Sequence, residues 1–149
     1  MKNNKGFSLV ELIIVIAIMA ILVGVMAPQL IKYIEKSKVS ADTQAADSVH
    51  TAVLTAMMDP EVVNKSNYNS SFSALSSGAA ATSLTSTSSD PICSAAGEIL
   101  GGSFANTDLK STGASTISFK IVGNNKVSVW VPGSDSRGSK SGSPFIVVE

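Results

Sequence analysis

The stretch KGFSLVELIIVIAIMAILVGVMAP, from Lys5 to Pro28, decides how the rest of this 149-residue chain is read. No charge occurs between Leu12 and Pro28, yet Glu11 stands at the threshold of that run with more apolar residues in front of it. The Ile, Val and Leu content would suit a buried strand, but strands rarely exceed about ten residues, so the length predicts a helix. At ~1.5 Å per residue, about 20 such residues cross the ~30 Å hydrocarbon core of a bilayer. A carboxylate inside that core costs roughly 2.5–3.5 kcal/mol at the centre and less near the helix end, so Glu11 calls for a partner.

Working outward, Gln29 to Met58 continues the helix without a break. Ile31, Ile34, Ala41, Ala45, Val49, Val53 and Met57 recur at helical steps and mark one apolar face. Lys32, Glu35, Lys36, Lys38, Asp42 and Asp47 are expected mostly away from it. Asp59-Pro60 supplies the stop, because the residue before proline is biased out of the α region. Both stretches together predict one helix of about 50 residues, apolar all round in its first half and amphipathic in its second. Asn64 to Ser89 is rich in Ser, Ala, Asn and Thr and reads as a long surface connection with at most a short helical turn. Ser94 to Gly102 (SAAGEILGG) reads as a short helix closed by glycine.

The C-terminal third reads as strands. TISFKIV and KVSVWVP flank Gly123-Asn124-Asn125, a turn signal. Pairing Ile121 with Val127 also sets Phe119 opposite Val129 and Ile117 opposite Val131, which collects the apolar side chains on one face. PFIVVE follows the Gly/Ser-rich segment GSDSRGSKSGS as a third strand. The expected fold class is α+β: one long N-terminal helix, its amphipathic half packed against a small antiparallel sheet.

Composition excludes several functions. Lys+Arg and Asp+Glu are both 11, so no global field favours nucleic acid or an acidic substrate, and no specific nucleic-acid binding is expected. Charged residues are 15%, below the roughly 25% of an average soluble domain. The single histidine, His50, has no Cys or His at ligand spacing, so no metal or other cofactor is expected. No nucleophile–histidine–carboxylate set can be assembled around it, and an enzyme is the poorest reading. Asp135 and Arg137 lack the carboxylate density of a calcium site. Cys93 has no partner for an intrachain disulfide. Trp130 falls on the strand face opposite Val129 and Val131, as a part-covered surface residue or a subunit contact.

The leader MKNNKG has two lysines and no apolar core, and between Leu22 and Ile31 there is no A-x-A-like site for conventional signal cleavage. On these residues the N-terminus resembles the class III signal of type IV pilins and pseudopilins. The resemblance implies a leader of residues 1–6, cut after Gly6 by a prepilin peptidase that also N-methylates Phe7. It implies that Glu11 pairs with the α-amine of Phe7, on a neighbouring subunit or its own, during assembly. At ~4 Å and an effective dielectric near 20 that attraction is about 4 kcal/mol before desolvation. Pro28 matches the helix proline of many major pilins. With Gly24 it either marks the membrane exit and permits close packing, or lets that turn melt in the filament. The family often has another glycine in the run, where this chain has Ala20. Absence of a disulfide loop around Cys93 is more similar to pilins of Gram-positive bacteria.

The expected organisation is therefore a leader (1–6), a transmembrane or filament-core helix (7–28) and a globular head (29–149). Within the head come the amphipathic helix (29–58), the connection (59–115) and the sheet (116–149). The resemblance implies a single-pass protein of the cytoplasmic membrane with its head outside, later part of an extracellular pilus serving adhesion or motility. The implied partners are further copies of the chain in a helical homopolymer, prepilin peptidase, the assembly platform and minor pilins, and membrane lipid before assembly. A pseudopilin of a type II secretion or competence machine is the alternative within the family. A simple membrane-anchored adhesin is the alternative outside it, although a mere anchor has no use for Glu11.

Overall fold

A computed structural model describes residues 6–102, 104, 109–110, 116–123, 126–132 and 144–148. The elements run α1 (Leu9–Met58), α2 (Pro60–Val63), α3 (Tyr68–Leu75), β1 (Ala79–Ala80), a 3-10 turn (Ala81–Ser83), α4 (Pro91–Ile99), β2 (Ser118–Ile121), β3 (Val127–Pro132) and β4 (Pro144–Val148). The chain has two compact units, Met1–Ser37 and Lys38–Glu149. In class it is α+β, as the sequence predicts, with one long N-terminal helix and a small antiparallel sheet.

In the first unit every described residue from Gly6 to Ile34 is exposed. The most apolar window of α1 has a mean hydropathy of 3.0 and none of it is buried within the chain. This segment is long and apolar enough to cross a membrane.

The second unit is built around the later part of α1. Ala46, Val49, Ala52, Val53, Ala56 and Met57 are buried in one cluster with Ile117, Phe119 and Ile121 on one strand line and Val127, Val129 and Val131 on the next. The sheet order is β1-β2-β3-β4, all antiparallel. Phe119 pairs with Val129 and Ile121 with Val127, which is the register predicted from the alternation. β4 adds the third predicted strand beside β3, with an irregularity between Val131 and Pro132. Asn124, Asn125 and the segment containing Asp135 and Arg137 lie outside the described residues.

Four expectations are corrected. Asp42, placed by sequence among the solvated charges, is completely buried, and one of its carboxylate oxygens accepts the Lys110 main-chain N–H at 2.7 Å. The buried stripe starts at Asp42 and runs through Ala46 and Val49, so it includes the carboxylate, and the tie to Lys110 supplies it with a donor. Ile31 and Ile34, read as part of the same stripe, are exposed.

The surface connection is also largely structured. Ser71, Leu75, Ala81 and Leu84 are buried, and the hydroxyl of Tyr68 donates to the Met57 carbonyl at the end of α1. Small residues let this segment pack tightly. A Cβ on Gly97 would lie 2.4 Å from the Thr85 carbonyl carbon, so only glycine lets α4 approach that turn.

Finally, α4 begins at Pro91, three residues before the predicted Ser94. Asp90 caps it, accepting the N–H groups of Ile92 and Cys93 at 3.0 and 3.1 Å, with Pro91 in the first turn where its missing N–H is harmless. Asp59-Pro60 does the same for α2, so the predicted stop is also a start. The glycine closure of α4 is as predicted: Gly101 and Gly102 have φ of 88° and 109°, and their N–H groups donate to the Glu98 and Gly97 carbonyls.

Candidate processing and assembly site

The helix start is fixed locally. Ser8 is the last residue before α1, and its carbonyl accepts the Leu12 N–H at 3.3 Å. Its main-chain N–H donates to Glu11 Oε2 at 2.8 Å, while its Oγ accepts, at 3.4 Å, from the Val10 N–H. This is a variant of the S-x-x-E capping arrangement, in which the glutamate of the first turn reaches back to the capping residue. The backbone N–H groups of that turn have no intrahelical acceptor, and a carboxylate there also meets the positive end of the helix dipole. Glu11 thus has a job within its own chain, which the sequence reading missed. The signal was present in Ser8-Leu9-Val10-Glu11 immediately before an apolar run.

Ahead of the cap, Gly6 and Phe7 lie outside the helix. Phe7 is 93% exposed, and among the described residues nothing lies within 4 Å of where a Gly6 Cβ would stand. The Gly6–Phe7 peptide bond is therefore non-helical and accessible, while the carboxylate of Glu11 is held one turn behind it.

Gly24 and Pro28 lie on the same helix, and α1 runs through both without interruption. They are four residues apart, so the N–H that Pro28 lacks is the one that would have bonded the Gly24 carbonyl. Both residues weaken a single turn, and among the described residues nothing lies within 4 Å of where a Gly24 Cβ would be. Farther along, Lys36 Nζ stands 6.0 Å from the ring centre of Tyr33, a cation over an aromatic face where the apolar helix gives way to charge.

The remaining candidates lie elsewhere. His50 is half-buried on α1, and no group of three or more His, Cys, Asp or Glu that could hold a metal occurs among the described residues. Cys93 is buried in the second unit, where loss of solvent, then the charge of Asp90, pushes its thiol up to about 11. Such a thiol carries almost no thiolate at neutral pH.

Residues 1–27 match the family model described as the prokaryotic N-terminal methylation motif. The chain is 41% identical over 56 residues to a type IV major fimbrial protein, FimA, of Dichelobacter nodosus, a match covering 38% of this chain and 36% of that protein. It is 48% identical over 54 residues to the type IV wide pilus major component PilA4 of Thermus thermophilus, covering 36% and 35%. The match thus spans about a third of the length of these curated relatives. No solved structure matches the chain. Motif, exposed apolar helix and capped glutamate coincide on one segment, so this chain carries a prokaryotic N-terminal methylation motif on an N-terminal third similar to those of type IV pilus components.

Proposed function

We propose that this chain is a structural subunit of a type IV pilus, held in the membrane by α1 and polymerised through that helix into a surface filament. The observation that carries this reading is the unburied apolar half of α1, with a single carboxylate at its start. A helix apolar on every side finds no partner within its own chain, so it is stable only in lipid or among other apolar helices. Both relatives bear the names of major pilus or fimbrial components, which favours a filament subunit over a secretion pseudopilin.

In this account a prepilin peptidase cuts the exposed Gly6–Phe7 bond and methylates the new amine. Glu11 then receives the ammonium of Phe7 from a neighbouring subunit. A carboxylate offers about four acceptor sites, so Oε2 can keep the Ser8 N–H while others accept the ammonium. The cap holds the carboxylate in one place and spares it a search among rotamers when the partner arrives. In the unassembled subunit the same hydrogen bond reduces the cost of a carboxylate at the membrane edge. The turn at Gly24 and Pro28 is the part of α1 that can loosen as helices pack.

The test is to express the chain as the only pilin in a host with a type IV pilus assembly system and to probe sheared surface material. Filaments that carry it throughout their length support the proposal. Retention in the membrane fraction under conditions that assemble the host's own pilin overturns it.

A further inference from the structure

The described outer face of β2 and β3 carries positive charge. Opposite the core-facing side chains, β2 and its extension present Ser118, Lys120 and Val122, while β3 and its approach present Lys126, Ser128 and Trp130. Lys120 pairs with Ser128, and the Val122 N–H donates to the Lys126 carbonyl at 2.7 Å. The two lysines are therefore diagonal neighbours across the strands, at a backbone separation of roughly 7–8 Å. Among the described residues this face has no carboxylate to separate them. Both line one open concavity of about 220 Å³, with Val122, Val127 and Ser128 as its other walls.

Two like charges at this spacing repel each other, and the sheet gains nothing from holding them there. An anion between them reverses the sign of that interaction. The volume is below the roughly 300–1,000 Å³ of pockets for drug-sized ligands and suits a single ring. Trp130 lies beside the pocket on the same face. Its Cη2 is 3.4 Å from where a Gly78 Cβ would stand, and the Cβ of Lys120 is 3.9 Å from the same point. The indole thus lies across β2 next to the Lys120 stem, in reach of Gly78. It is only half-buried and offers a flat apolar surface for a neighbouring ring.

We propose that this face binds an acidic carbohydrate, with the carboxylate of one uronate ring between Lys120 and Lys126 and the adjoining sugar against Trp130. A nucleic acid would also offer anions and flat rings. However, the chain has no net charge and an isoelectric point near 6.6, far from the basic surface that tracks a phosphate backbone.

Trp130 is the only tryptophan in the chain, so its fluorescence reports on this face alone. The experiment uses the full chain in neutral detergent and titrates a galacturonate oligosaccharide, the matching neutral galactose oligosaccharide and a single-stranded thymidine oligonucleotide. The expected result is a saturable change with the acidic sugar. Lys120→Gln with Lys126→Gln should weaken it at least about tenfold, as for lost charge-assisted hydrogen bonds. Lys65→Gln, on an exposed turn, should leave it unchanged. Unchanged melting temperatures would show that the variants fold. No saturable change, an equal response to the neutral sugar, binding unaffected by the double substitution, or tighter binding of the oligonucleotide would each overturn the proposal.

Discussion

The main-chain N–H of Ser8 donates to the carboxylate of Glu11 across 2.8 Å, so the acidic residue at the edge of the apolar helix is engaged before any second subunit arrives. Capping is the role this contact shows, receiving an ammonium from a neighbouring subunit is the role proposed above, and substitutions can separate the two. Glutamine can still cap, because the S-x-x-E/Q arrangement needs only an acceptor. It cannot balance the charge of an incoming ammonium. Alanine can do neither, at a cost to the helix start of about 1 kcal/mol.

Glu11→Gln and Glu11→Ala should therefore enter the membrane and be processed, yet both should fail to assemble. The surface fraction of each should fall at least about tenfold, because an unpaired buried ammonium costs several kcal/mol. The measurement compares the chain in membrane and sheared fractions. Filaments from Glu11→Gln at normal yield would assign the residue to capping alone.

Gly97→Ala should destabilise the second unit. The added methyl would meet the Thr85 backbone at 2.4 Å, where no flexible side chain can give way. Overpacking of this kind costs about 1–3 kcal/mol, which lowers the melting temperature by several degrees. Thermal unfolding followed by circular dichroism checks it, and an unchanged midpoint would contradict the close approach of α4.

Asp42→Ala should release the Lys110 main-chain N–H, its partner 68 residues away. The loss is about 1–3 kcal/mol, with faster hydrogen exchange at the Lys110 amide. Asp42→Asn retains an acceptor and should cost less. Equal exchange in all three proteins would show that the bond does not hold this segment.

The long helix was legible because no strand reaches the length of the run from Phe7 to Ala27. The β2–β3 register was legible because a one-residue slip would set Ile121 against Ser128. Asp42 was not legible. Its stripe with Ala46 and Val49 is visible at helical spacing, but a carboxylate is placed outside unless its donor is known, and that donor is distant in sequence. The packing between Ser71 and Leu84 was hidden because its buried residues, Ser71, Leu75, Ala81 and Leu84, are spaced irregularly among small polar ones, which leaves no hydrophobic period. At the candidate site, the Ser8–Glu11 cap was present in four consecutive residues. A membrane-edge carboxylate raised the question of an external partner and drew attention from the internal one.

Cys93 should resist alkylation at neutral pH and react quickly only once the chain unfolds. Its pKa is raised in the fold from 9.0 to about 11, so the folded state favours the protonated thiol. The stability this contributes is fully present below pH 9 and is lost as pH rises to 11, where the unfolded chain has already released its proton. Iodoacetamide labelling from pH 7 to 11, with and without denaturant, checks both statements. Rapid labelling of the folded chain at pH 8 would contradict the burial.

The most direct test of the whole account is the mass of the chain recovered from sheared surface filaments. A chain that begins at N-methylated Phe7, with Gly6 and all preceding residues absent, is the predicted result. A chain in those filaments that still begins at Met1, or one cut near Ala27 so that Glu11 is lost, would contradict it.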